Sequence, residues 1–320
     1  MKILVYGWYN QGNLGDELFK QAFTHLFPTY HFEFTDFVTV KQLQDVAGVF
    51  IGGGSFLGEP FRIDPAALPL LMRKKICYLG VGAETDVHSS HQIVMASASF
   101  IAIRTPEHLE KIKAINHSVM VIPDLVYCLA SDISPRKIDR SVLILPNITV
   151  VPTWKDAHWA HVSWNYFKSE FSQFLDELAE SKHSAVNFLP FCVNPQQDDT
   201  RAAAELINST THRGFFKIHH HPQTLQDATR LISEYEIIIT QRYHGMVLAD
   251  MIDAKYFSIY HHDKLRDSKG NDLPYYGITK AGLWKQLENQ RKTKISPHLP
   301  IDRNVIRDLT QKVDDALCRG

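Results

Sequence analysis

Residues 2–17 run Lys2-Ile3-Leu4-Val5-Tyr6-Gly7-Trp8-Tyr9-Asn10-Gln11-Gly12-Asn13-Leu14-Gly15-Asp16-Glu17. Lys2–Tyr6 is an apolar run of strand length that stops at Gly7. From Asp16 to Leu26 the apolar residues are Leu18, Phe19, Ala22, Phe23 and Leu26, the spacing of one helical face. A buried strand that passes through a glycine loop into a helix is the opening of a βαβ unit. Glycines let backbone amides approach an anion, and the helix N-terminus favours negative charge. The loop is neither GxGxxG nor GxxxxGK[ST], so the nicotinamide fingerprint and the P-loop both fail. A tight strand–helix turn with Asp16 as its cap is an equal reading of the same residues.

Outward from this stretch the pattern repeats. His31–Phe37 alternates like a strand, with Asp36 where a ribose-binding acid would stand. Val46–Ile51 runs into Gly52-Gly53-Gly54-Ser55, Lys75–Leu79 into Gly80-Val81-Gly82, Phe100–Ile103 into Arg104, and Val119–Ile122 into Pro123-Asp124. After the polar stretch Ser131–Arg140 a second series begins. Val142–Leu145, Val186–Leu189, Ile237–Ile239 and Tyr256–Ile259 read as strands. Ser163–Ala179, Arg201–Ile207, Gln223–Ile232 and Asp302–Leu317 read as helices. The expected class is α/β, with two Rossmann-like domains built on parallel sheets and facing each other across a cleft. The boundaries read as 1–135 and 136–300, followed by a terminal helical segment over 301–320. Ligands of such sheets sit at the carboxyl ends of the strands.

The bulk numbers exclude several classes. The 320 residues carry 34 Lys+Arg against 35 Asp+Glu, and 44% are hydrophobic. That balance excludes a disordered, collagen-like or coiled-coil chain and argues against nucleic acid as a partner. Cys77, Cys128, Cys192 and Cys318 lie far apart without metal-type spacing and read as reduced thiols of a cytoplasmic protein. Met1-Lys2 is followed too soon by polar residues for a signal peptide, and no apolar run nears the ~18 residues of a membrane span. Seventeen histidines are an unusual number. His219-His220-His221 and His261-His262 are adjacent pairs and runs whose side chains diverge, so they chelate poorly. His88 and His91 lack a third ligand nearby. The expectation is no metal.

Three cationic residues stand at strand ends: Arg104 in the first series, Arg242 and then Lys264 in the second. Each alone reads as a surface charge or a local ion pair. Together at the ends of strands they point to a site for a small anion, since arginine binds carboxylate or phosphate through two parallel hydrogen bonds. Gly52-Gly53-Gly54 is explained better by close approach of a ligand or of the other domain than by a bare turn. Trp154 to Trp164, with His158, Trp159 and His161 between, reads either as an aromatic anchor for a loop or as a platform for a sugar ring.

These segments resemble, in order, the polysaccharide pyruvyl transferase family. The resemblance rests on Gly12-Asn13-Leu14-Gly15-Asp16-Glu17, Gly52-Gly53-Gly54-Ser55, Gly80-Val81-Gly82, Ile103-Arg104 with Pro123-Asp124-Leu125-Val126, Leu189-Pro190-Phe191 before Gln197-Asp198, Arg242-Tyr243-His244-Gly245, and Tyr260 to Lys264. It spans residues 3 to about 266. Thr105-Pro106-Glu107 and Gly245 depart from the family's usual residues, which are Asp after the first arginine and Ala after the histidine.

The resemblance implies a GT-B-like fold, whose last helix packs back on the first domain. It also implies transfer of an enolpyruvyl unit from phosphoenolpyruvate to two sugar hydroxyls, with no cofactor beyond that donor. Arg104, Arg242 and His244 would contact phosphoenolpyruvate, with His244 as the acid and Lys264 beside the departing phosphate. Gly53, Gly54, Ser55, Asn13 and Gly15 would add contacts, and Asp16 or Glu17 would accept a hydroxyl proton. The partner would be a glycan or lipid-linked oligosaccharide, met in the cytoplasm or at the inner face of the membrane. A sugar-nucleotide glycosyltransferase and a non-catalytic glycan- or anion-binding protein on the same architecture remain as rival readings.

Overall fold

The computed structural model describes residues 1–82, 86–104, 106–132, 141–147, 157–181, 185–260, 272–292 and 303–318. At 107, 131, 132, 157–162 and 303 it describes the backbone alone. The chain divides into two compact units. One comprises Met1–Gln11, Gly15–Ser131 and Leu299–Gly320, the other Gly12–Leu14 and Asp132–His298.

The first unit contains β1 (Lys2–Tyr6), β2 (His31–Thr35), β3 (Gly48–Gly52), β4 (Lys75–Val81), β5 (Phe100–Ile103) and β6 (Val119–Val121). They form one parallel sheet in the order β2-β1-β3-β4-β5-β6. The second contains β7 (Ser141–Leu145), β8 (Ala185–Phe188), β9 (Phe216–Ile218), β10 (Ile237–Thr240), β11 (Lys255–Tyr260) and β12 (Asp272–Pro274). Its parallel order is β12-β11-β10-β7-β8-β9. The expected α/β class with two parallel sheets is what the chain adopts. Parallel strands covered by helices on both faces read as continuous apolar runs, and every residue of β3 and of β7 is buried.

In the second unit the helix Ala157–Glu180 lays Trp164, Phe167, Phe171, Phe174 and Leu178 on the sheet at helical spacing. The Trp164, Phe167 and Phe171 rings stack in succession, and Phe167 stacks on Tyr275 at 4.7 Å. Each such buried ring contributes roughly 1.5–3 kcal/mol. In the first unit the helix Arg303–Cys318 buries Leu309 and Val313, and Tyr30 donates a 2.5 Å hydrogen bond to Asp314.

Some elements differ from the sequence expectation. The helix of the first loop spans Leu14–Leu26, so Asp16 lies in its first turn and is not its cap. The long helix begins at Ala157, so the backbone at 158, 159 and 161 is helical and not a loop. The strands β9 and β12 are three residues each, too short to show a period. The helices Tyr243–Met251 and Lys280–Lys292 were also not read. The first is apolar on most sides and the second strongly polar, so neither shows a clear stripe.

The two strand orders set where ligands go. The order reverses between β1 and β3 in the first sheet and between β7 and β10 in the second. In open parallel sheets the carboxyl ends at such reversals form the binding crevice.

Candidate functional site

At the first reversal, β3 ends in three glycines, two with positive φ: Gly53 at 79° and Gly54 at 89°. A Cβ on Gly52 would lie 2.5 Å from Leu79 O. One on Gly53 would lie 2.9 Å from the Phe19 ring, and one on Gly54 2.9 Å from Asp16 Oδ1. The close neighbours of all three are therefore the unit's own atoms. The unit's own packing thus accounts for the three glycines.

The loop after β1 is internally tied. Glu17 accepts from the Asn10 backbone N–H at 2.6 Å and pairs with Lys20 at 2.5 Å, while Lys20 also donates to Asn10 Oδ1. Tyr9 donates to Gly52 O at 2.5 Å, and burial pushes its phenol well above the usual tyrosine range. Asp16 is buried beside Gly54. Asp36 pairs with Arg62 at 3.1 Å and accepts from Gln11.

Arg104 follows β5. Its Nη1 pairs with buried Asp124, its Nη2 donates to Ser55 Oγ at 2.9 Å, and its guanidinium lies 5.6 Å from the Phe19 ring centre. Asp124 is oriented in turn by the Val126 N–H at 2.9 Å. The structure thus brings Arg104, Ser55, Asp16, Gly53 and Gly54 to one end of the first sheet, with Gly15 and Glu17 in the adjoining helix start.

At the second reversal, Thr240-Gln241-Arg242 leaves β10 and the helix Tyr243–Met251 begins. Thr240 Oγ1 donates to Arg242 O and accepts from Arg242 N–H, which fixes the turn. Arg242 grips Asp199 with two guanidinium nitrogens, Nε at 3.0 Å and Nη2, and Nη2 also donates to Gln197 O at 3.2 Å. Asp199 is fully buried and accepts the backbone N–H of Phe191 and of Cys192, both at 2.9 Å. Burial pushes its carboxyl above the usual range, against the opposing pull of Arg242 and these two amides. Four donors on one carboxylate suit its ionised form.

His244 occupies the second position of the helix, buried, with its ring edge-on to Tyr243. Gly245 has a local cause. A Cβ there would lie 2.3 Å from Thr240 Oγ1 and 2.7 Å from Leu145, so this turn excludes the family's usual alanine.

Asn13 belongs with the second unit and bridges Cys192 in an antiparallel pair. Lys264, Trp154 and the side chains of His158, Trp159 and His161 lie outside the described residues. Trp164 is a core residue that donates to Glu205 at 2.8 Å. The histidine run disperses: His219 meets Tyr235, His220 meets Asp227, and His221 meets Pro190 O. His91 packs among Phe56, Phe61 and Tyr78, where burial pushes it down to about 4. His88 accepts from Ser90 N–H at its helix start.

Sequence reasoning missed the two carboxylates that orient the arginines. Asp124 was visible in Pro123-Asp124 but carried no assigned role. Asp199 follows Asp198, which caps the helix Asp199–Asn208, and an acid in a first helical turn is ordinary.

The sequence pattern of the polysaccharide pyruvyl transferase family matches residues 13–262. The chain belongs to this family. The matched region contains both arginines, both orienting carboxylates and His244. A search of curated proteins finds no match.

Among solved structures, UDP-GlcNAc 2-epimerase from Methanocaldococcus jannaschii, in complex with UDP-GlcNAc and UDP, is 11% identical. Its TM-score is 0.60, over 97% of this chain and 100% of that one. The Neisseria meningitidis UDP-GlcNAc 2-epimerase bound to UDP-GlcNAc is 10% identical, with a TM-score of 0.59 over the whole of both chains. At such identities the likeness concerns the fold alone, which for this pyruvyl transferase family member is of the GT-B type.

Proposed function

We propose that this family member transfers the enolpyruvyl unit of phosphoenolpyruvate to two hydroxyls of a glycan sugar, forming a pyruvate ketal and releasing phosphate. The observation that carries the reading is the Arg242–Asp199 pair followed by His244 in the first turn of the helix that Arg242 precedes. A guanidinium held by a buried carboxylate is a preorganised partner for an anion. A histidine two residues on, at a helix N-terminus, stands beside the same anion.

The donor's carboxylate and phosphate are assigned to Arg242 and Arg104. His244 gives a proton to the methylene carbon, which becomes the ketal methyl group. The first sugar hydroxyl bonds to the neighbouring carbon and loses its proton to a carboxylate, with Asp16 as the assigned base. Glu17, the other candidate, is engaged with Asn10 and Lys20. The second hydroxyl displaces phosphate and passes its proton to His244, which restores the acid, while Lys264 offsets the charge of the phosphate. Amides of Gly53, Gly54 and Gly15, with Ser55 and Asn13, complete the contacts. The reaction is redox-neutral and needs no further cofactor.

The setting proposed is exopolysaccharide or cell-surface polysaccharide synthesis on the cytoplasmic side, with a lipid-linked acceptor bringing the enzyme to the inner membrane face. No helix among the described residues is long and apolar enough to cross a membrane.

The test is phosphate release from phosphoenolpyruvate with a panel of galactosyl, glucosyl and mannosaminyl acceptors. His244→Asn is expected to bind phosphoenolpyruvate normally and release no phosphate. Turnover at the parent rate would remove His244 as the acid. Thermal stabilisation by nucleotide-sugars but not by phosphoenolpyruvate would favour a glycosyltransferase instead. Stabilisation by a donor with no phosphate release on any acceptor would favour a binding protein.

A further inference from the structure

A buried donor at the reversal of the second sheet has no acceptor among the described residues. Gln241 is 3% exposed and spans the ends of β10 and β7. Its backbone N–H donates to Leu145 O at 2.9 Å, and its side-chain Oε1 accepts the Asn147 N–H at 3.1 Å. That second contact fixes the carboxamide orientation, because the flipped amide would aim its NH₂ group at the Asn147 N–H. Nε2 therefore faces away from Asn147, and it has no hydrogen-bond partner among the described residues.

A buried amide left so costs about 1–3 kcal/mol. Folded proteins tolerate few of them, and each asks for a partner. Gln241 is followed directly by Arg242 and the first turn of the helix Tyr243–Met251, whose N–H groups favour negative charge. Asp199 offsets the charge of Arg242. Selection at this end of the sheet therefore rests on directed donors and the helix terminus more than on a bare cation.

We infer that Gln241 is a substrate-binding residue whose Nε2 donates to an anionic oxygen, carboxylate or phosphoryl, of the molecule held where β7 and β10 diverge. The inference depends on the proposed reaction only for naming that molecule. Nothing in the sequence marks this glutamine, because its significance comes from a contact to Asn147, 94 residues away.

Calorimetric titration of the full chain with phosphoenolpyruvate, inorganic phosphate, pyruvate and UDP tests it, on the parent, Gln241→Glu and Gln241→Met. The glutamate keeps an oxygen for Asn147 N–H and puts a carboxylate oxygen in place of Nε2. The methionine removes the donor at similar size.

For any of these anions that the parent binds, Kd is expected to rise about a hundredfold with glutamate and about tenfold with methionine. A loss confined to phosphate assigns the phosphoryl group to Gln241, and one confined to pyruvate the carboxylate. If UDP alone binds and the variants lose it, Gln241 stands while the phosphoenolpyruvate reading falls. If phosphoenolpyruvate binds parent and variants equally, the inference is overturned and the reaction stands. Absence of binding to the parent by all four overturns both. Should Gln241→Glu fail to fold, Gln241→Met decides by the same comparison.

Discussion

Arg104 and Arg242 each follow a strand of a parallel sheet, and each meets a buried aspartate, yet the two are held differently. Arg104 divides its fork between Asp124 and the Ser55 hydroxyl and lies against Phe19. Arg242 gives two nitrogens to one carboxylate, and that carboxylate is pinned by two backbone amides. The first arrangement can loosen at one contact and keep the other. In the second, two guanidinium nitrogens are bound to Asp199, and one of them also donates to Gln197 O.

That contrast predicts unequal damage. Asp199→Asn leaves a nearly buried guanidinium without its counter-charge and is expected to cost about 3–5 kcal/mol. Asp124→Asn likewise removes the counter-charge of a buried guanidinium, but it keeps an oxygen for Val126 N–H and leaves Ser55 on Arg104, so about 3 kcal/mol, the low end of the same range, is expected. Urea unfolding measures both, and equal losses would erase the distinction.

Acid separates the two units in another way. His91 lies in the first unit, with its folded pKa pushed down to about 4 from 6.5 by burial. The unfolded chain therefore takes up the proton first. Stability from this group is complete above pH 6.5 and falls as pH drops toward 4, by about 3 kcal/mol in all. His91→Phe should flatten that part of the profile, and hydrogen exchange near pH 4.5 should show the parent's first unit opening first. An unchanged slope in the variant would assign the acid limb elsewhere.

Arg242→Lys tests the grip itself. An ammonium cannot reproduce the fork, and kcat/KM for phosphate release should fall about a hundredfold. Arg104→Lys should lose less, because its contacts are already divided. The smallest effect is expected from Ser55→Ala, about 1 kcal/mol in folding stability through the lost Arg104 contact and a similar loss in donor binding.

Much of this was legible in the sequence because parallel strands buried on both faces announce themselves as apolar runs. Lys2–Tyr6 and Phe100–Ile103 are read to the residue. Glycines after strands marked the right turns, although Gly52, Gly53 and Gly54 answer to Leu79, Phe19 and Asp16. What stayed hidden depends on residues far apart in the chain. Asp124 meets Arg104 across 20 positions and Asp199 meets Arg242 across 43, and neither aspartate carries a local sign of its partner. Gly245 looked like a departure from family habit until Thr240 supplied the reason.

The carboxylate of Asp199 gathers Phe191, Cys192 and Arg242 around one atom pair. The Arg242 contact spans 43 positions, so its loop-closure cost precedes its reward, whereas those of Phe191 and Cys192 span only eight and seven. The oriented Arg242–Asp199 pair is thus a late product of folding. A chain still emerging or partly unfolded has the arginine but not its orientation, which waits until β10 has joined β7 and the helix at Asp199 is in place.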